Sequence, residues 1–205
     1  MVQTNGNGFI YVGIQYRLGA FGFLSSEDVH NNGVANAGLY DMHFALQWVQ
    51  DQIYKVGGDP TRVTIAGESA GGGGVMHMVM AYGGTDGTKL FTNAIVASPY
   101  LPKQFYYNDS RPTTAYNNFA EAAGCSGAAN VFACLQGADT LVLQNASAFG
   151  AATVPFGEYG FGPVTDGDLV QNRPSAQLLS GKVNGLRMLS GVCIPTEYSS
   201  LITNN

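Results

Sequence analysis

Apolar positions along the chain fall into two kinds of run. Residues 9–16 (Phe-Ile-Tyr-Val-Gly-Ile-Gln-Tyr) are short, aromatic and β-branched, and nearly continuous in apolar character, which predicts a strand buried on both faces. Over residues 39–54 the apolar positions Leu39, Met42, Ala45, Leu46, Val49 and Ile53 recur at intervals of three and four, the spacing of an amphipathic helix. Gly57-Gly58-Asp59-Pro60 stops it, because glycine takes a left-handed cap and proline cannot continue the ladder. Residues 63–66 then predict a second buried strand, residues 72–82 a helix despite their glycines, and residues 93–97 a third strand. Strand, helix, strand, helix, strand with short links is the pattern of βαβ crossovers and a parallel sheet, so the fold class is α/β.

From residue 99 to residue 163 the pattern changes. Short helical pieces at 113–123, 129–135 and 140–148 stand among Gly, Asn and Ser with no strand between them, which predicts a helical excursion off the sheet. A helix near 175–179 and a return strand at 186–190 follow.

Gly67-Glu68-Ser69-Ala70-Gly71 fits Gly-x-Ser-x-Gly. In a chain with 28 glycines the bare motif carries little weight, and its context carries more. It directly follows a strand pattern and directly precedes a helical one, the arrangement of a nucleophile elbow. Such a turn forces the serine into a strained conformation, so Gly67 and Gly71 are expected to supply the missing bulk. Ser69 would stand at the carboxyl edge of the sheet, with the Ala70 N–H aimed at a developing oxyanion.

The surrounding residues sharpen this. Tyr16-Arg-Leu-Gly-Ala-Phe-Gly-Phe-Leu24, Asn36-Ala-Gly-Leu-Tyr-Asp41, Ala45-Leu-Gln-Trp-Val-Gln50 and Gly57-Gly-Asp-Pro-Thr-Arg-Val-Thr-Ile65 lead into the serine motif. Together they resemble the type-B carboxylesterase and lipase family, the α/β-hydrolases that include cholinesterases and secreted fungal esterases. The likeness is dense over residues 9–100 and looser beyond, where Ala97-Ser-Pro-Tyr100 and Gly162-Pro-Val-Thr-Asp-Gly-Asp168 also look like fungal family segments. It implies an α/β-hydrolase fold, with residues 1–205 forming part of such a domain and residues 99–163 a helical excursion within it. It also implies a Ser, Glu, His triad with Ser69 as nucleophile. Gly191-Val-Cys-Ile-Pro-Thr-Glu197 makes Glu197 the candidate acid, although Tyr198 stands where the family carries glycine. The resemblance further implies that Glu68 lies at the base of the substrate gorge, that Arg17 and Asp41 form a structural ion pair, and that Cys125 and Cys134 close a short disulfide loop. Cys193 is left without a partner and reads as a small buried residue.

The triad needs a histidine after the acid, and His30, His43 and His77 all precede Glu197. The His-Gly-Gly oxyanion loop expected upstream of residue 9 is also missing. Two readings therefore stand: a carboxylic ester hydrolase working through an acyl-enzyme, of which this chain holds the central portion, or a non-catalytic cholinesterase-like binding module or inactive truncated product.

Composition narrows the partners. Charged residues are 11% of the chain against about 25% in an average soluble domain, and 9 Lys and Arg against 14 Asp and Glu offer no basic stripe for phosphates. The expected partner is a small-molecule or lipid ester, with no nucleic acid and no transmembrane segment. No cofactor or metal is expected, because the cysteines and histidines lack ligand spacing. The sequons Asn108-Asp-Ser110 and Asn145-Ala-Ser147, with the disulfide, favour a secreted protein whose signal peptide is not in this chain.

Overall fold

The computed structural model describes residues 3–155 and 158–192. Its centre is a three-stranded parallel sheet ordered β1 (Thr64–Glu68), β2 (Asn93–Ala97) and β5 (Arg187–Gly191), with Gly67 opposite Val96 and Val96 opposite Ser190. Two residues of β3 (Phe105–Tyr106) pair in parallel with β4 (Val164–Thr165) to make a second, minimal sheet. Helices α1 (Gly19–Phe23), α2 (Glu27–Asn32) and α3 (Ala37–Gln52) precede β1, and α4 (Ala70–Met80) connects β1 to β2. Between β3 and β4 run α5 (Ser110–Ala122), α6 (Val131–Gly137) and α7 (Thr140–Ala152), and α8 (Pro174–Leu179) leads to β5.

The apolar spacing of α3 decides the main core. Leu39, Met42 and Leu46 face Val75, Met76 and Val79 of α4, and both helices close over Ile65, Ala94 and Val96 of the sheet. The helix gives way to a 3-10 turn at Ile53–Val56, and Gly57 takes the left-handed conformation (φ 85°) that ends it. A second cluster, with Val29, Tyr116, Phe119, Ala120, Leu135 and Ala146, holds the excursion helices against α1 and α2. Cys125 and Cys134 are joined within it, at an S–S distance of 2.06 Å.

Two expectations need correction. Residues 9–16 form no strand: they lie outside both sheets, and Phe9, Ile10, Tyr11, Val12 and Ile14 are exposed. Apolar content favours a strand only when a neighbouring strand completes its hydrogen bonds, and none pairs with this segment among the described residues. Among the described residues the sheet is also covered on one face and not two, since Ile65, Ala94 and Val96 are buried under α4 while Thr64, Ala66, Ile95 and all of β5 are exposed. The stretch 99–163 carries a strand ahead of its helices, β3, too short to show a period, while no strand lies between those helices among the described residues.

Asn36 ties the excursion's far end to α3. It sits in the left-handed region (φ 58°) with its side chain fully buried, a conformation that asparagine tolerates better than most residues. Its Nδ2 donates to Val164 O (2.8 Å) and Asp166 Oδ2 (2.7 Å), and its Oδ1 accepts from Val164 N (2.8 Å). Arg17 and Asp41 pair as expected, through Nε to Oδ2 (2.8 Å) and a terminal guanidinium nitrogen to Oδ1 (2.7 Å). The pair is not buried, however: the Arg17 side chain is 55% exposed. Hydrogen bonding from Arg17 holds the Asp41 carboxyl below its ordinary pKa.

Candidate active site

β1 ends at Glu68, and the chain turns at Ser69 directly into α4. Ser69 has φ 53° and ψ −118°, a strained conformation for a residue with a side chain. Three backbone hydrogen bonds hold it there. Its N–H donates to Ala97 O (3.0 Å) at the end of β2, and its carbonyl accepts from Gly73 N (3.0 Å) and Tyr100 N (2.9 Å). The next strand end is tied in the same way, Ser98 N donating to Gly191 O (2.7 Å). The serine hydroxyl caps nothing in α4 and is exposed. Ala70, the first helical residue, carries an N–H with no acceptor inside the helix, directed where the helix dipole favours negative charge.

The glycines divide by role. A Cβ on Gly67 would meet Gly71 O at 2.2 Å, on Gly72 would press on Pro99 and Ala97 O at 3.1 and 3.2 Å, on Gly73 would meet Tyr100 O at 2.2 Å, and on Gly74 would meet Met42 Sδ at 2.7 Å. A Cβ on Gly71 meets nothing within 4 Å. The expectation that both motif glycines make room for the turn therefore holds for Gly67 and fails for Gly71, whose backbone is the obstacle that Gly67 avoids.

Each of the three histidines contacts a group other than Ser69. His30 stacks on Tyr107 at 4.0 Å between ring centroids. His43 Nε2 lies 2.9 Å from Asp86 Oδ2. His77 is buried on α4, with Nδ1 2.8 Å from Gly73 O and Nε2 3.0 Å from Gln104 Oε1, and burial pushes its pKa down. Glu197 lies outside the described residues, as does Cys193. Glu68 is exposed at the end of β1. Asn108, in the turn before α5, and Asn145, on α7, are both exposed; Ser147 of the second sequon accepts a hydrogen bond from Ala20 N (3.1 Å).

The sequence reading did not foresee a cavity of about 650 Å³ that begins at Ala70 and runs along Gly73, Gly74 and His77 of α4. Leu39 and Met42 of α3, Phe23 of α1 and Phe161 supply apolar wall, and Tyr100, Lys103, Phe105, Arg111 and Glu158 line it from the excursion side. Glu68 and Ser69 are not part of the wall, and Ala70 joins the cavity to the elbow. No local signal marks this cavity, because its wall is drawn from residues spread between Tyr16 and Val164. No helix among the described residues is long and apolar enough to cross a membrane.

The Carboxylesterase family profile matches residues 2–202. Lipase 2 of Geotrichum candidum is 38% identical over 200 residues, which are 91% of this chain and 35% of that protein. Carboxylesterase patB of Penicillium expansum is 36% identical over 207 residues, 97% of this chain and 34% of that protein. Secreted lipase 1 of Botryotinia fuckeliana is 36% identical over 87% of this chain and 32% of its own length. The crystal structure of Aspergillus niger EstA superposes with a TM-score of 0.83 at 36% identity, over 91% of this chain and 36% of that one. The chain thus spans about a third of the length of the curated relatives it matches. On its α/β-hydrolase fold and these matches, the chain belongs to the carboxylesterase family.

Proposed function

We propose that Ser69 is the nucleophile of a carboxylic ester hydrolase. The observation that carries this reading is the backbone of Ser69, held at φ 53° by bonds to Ala97, Gly73 and Tyr100 and leaving the hydroxyl exposed at the carboxyl edge of the sheet. A serine used only to start a helix would cap it, and this one does not.

In this mechanism a histidine takes the proton as Ser69 Oγ attacks the ester carbonyl. The oxyanion that forms accepts from Ala70 N–H, and collapse expels the alcohol with the proton returned by the histidine. Water then attacks the acyl-enzyme along the same path in reverse, releasing the acid and restoring Ser69. Glu197 is the acid that orients the histidine. That histidine is not His30, His43 or His77, each of which is engaged elsewhere. The apolar cavity starting at Ala70 suits the hydrocarbon part of a small-molecule or lipid ester. The secreted relatives, the Cys125–Cys134 disulfide and the exposed Asn108 and Asn145 sequons support secretion, with both asparagines as glycan acceptors.

The engaged histidines favour one second reading, in which the 205-residue chain by itself binds esters without turning them over. Hydrolysis of p-nitrophenyl esters decides between the two. Ser69-dependent turnover, abolished in Ser69→Ala, supports the hydrolase, whereas ester binding that survives Ser69→Ala with no turnover in any context supports the binding module.

A further inference from the structure

The cavity beside α4 is apolar along most of its wall, and at Phe105 its character changes. Lys103 Nζ stands 5.2 Å from the Phe105 ring centroid and Arg111 Cζ stands 5.8 Å from it, and all three residues belong to the wall. Glu158 is the wall's carboxylate among the described residues, and it is paired with Arg111. Lys103 has no carboxylate partner among the described residues. The wall of an apolar cavity thus holds an exposed cation with no carboxylate partner among the described residues, in a chain with only 9 Lys and Arg and a net charge of −5.

The face of Phe105 attracts the ammonium group through the ring quadrupole and so restrains it at the wall. A neutral chain filling the cavity leaves that cation with water alone. A chain that carries a carboxylate gives it a partner without leaving the apolar wall, and a cationic chain is repelled.

We propose that the cavity selects ester ligands bearing a second, free carboxylate on the acyl chain, that is, half-esters of dicarboxylic acids, with the hydrocarbon along Leu39, Met42 and Phe161 and the free carboxylate at Lys103. This rests on the reading of the cavity as the ester's binding site and adds to it the class of acyl group.

Monomethyl sebacate and dimethyl sebacate share one chain and differ by one charge. Their binding to the Ser69→Ala chain, which cannot cleave them through Ser69, is measured by calorimetry at low ionic strength. The half-ester is expected to bind about three- to fivefold more tightly, the range of a partly solvated ion pair. Lys103→Met abolishes the difference and Lys103→Glu reverses it. Added salt shrinks it in the parent chain. Equal binding of the two esters, or a preference that survives Lys103→Glu, overturns the proposal and leaves the cavity as an ester site. Failure of both esters to bind overturns the cavity reading as well.

Discussion

Gly67 and Gly71 approach so closely that a methyl group on Gly67 would lie 2.2 Å from the Gly71 carbonyl oxygen and 2.3 Å from its carbon. The obstacle is backbone, which cannot swing aside as a side chain can. Gly67→Ala must therefore open the elbow, at about 1–3 kcal/mol for overpacking, and misplace Ser69. Gly71→Ala meets open space near the start of α4 and is expected to raise stability by up to about 1 kcal/mol through the helix preference of alanine. Urea unfolding of the two variants checks the contrast; equal losses would show that the motif glycines are equivalent.

Asn36 answers both backbone groups of Val164 and one oxygen of Asp166 with a single buried carboxamide. Asn36→Ala leaves these polar groups buried without partners, and a loss of about 3 kcal/mol or more is expected. Asn36→Gly, which relieves the positive φ, should lose nearly as much, because the hydrogen bonds and not the backbone angle dominate. Stability measured for both variants tests this, and near-wild-type stability of the glycine variant would refute it.

His77 provides a pH dependence of known sign. Burial lowers its pKa below the ordinary 6.5, so in the folded chain it resists the proton that it accepts near 6.5 once unfolded. The contribution of neutral His77 is present above that pH and is lost as pH falls through it toward the lowered folded-state pKa, so stability falls between pH 7.5 and 5.5. His77→Gln keeps a polar side chain facing Gly73 O and Gln104 and has nothing to titrate. The stability profile of the variant should be flatter over this range; an unchanged slope would remove His77 as its source.

Legibility in the sequence followed the range over which a signal repeats. Helix α3 was readable because Leu39, Met42, Leu46 and Val49 recur over about three turns, and β2 because the run Asn93–Ala97 is bounded on both sides. Helices α1 and α2 span five and six residues, too few for a period to emerge. The strand β3 depends on pairing with Val164–Thr165, a contact that no local pattern announces. Residues 9–16 failed for the converse reason: their pattern is that of a strand, but strand formation needs a partner that the segment itself does not encode. At the site, the strand-to-helix turn at Ser69 was legible because motif, preceding strand and following helix all agree. The cavity was not, since Lys103, Phe105 and Arg111 share its wall with Leu39 and Met42 only once the chain has folded.

The central claim is that Ser69 is a built nucleophile whose base is none of His30, His43 and His77. Labelling by a fluorophosphonate, with and without added imidazole and read by mass spectrometry of the peptide carrying Ser69, tests it most directly. The predicted result is adduct on Ser69, slow in buffer, accelerated by imidazole acting as a diffusible base, and unaltered in rate by His77→Gln. Rapid Ser69 labelling without imidazole that a histidine substitution abolishes, or no adduct on Ser69 under either condition, would contradict it.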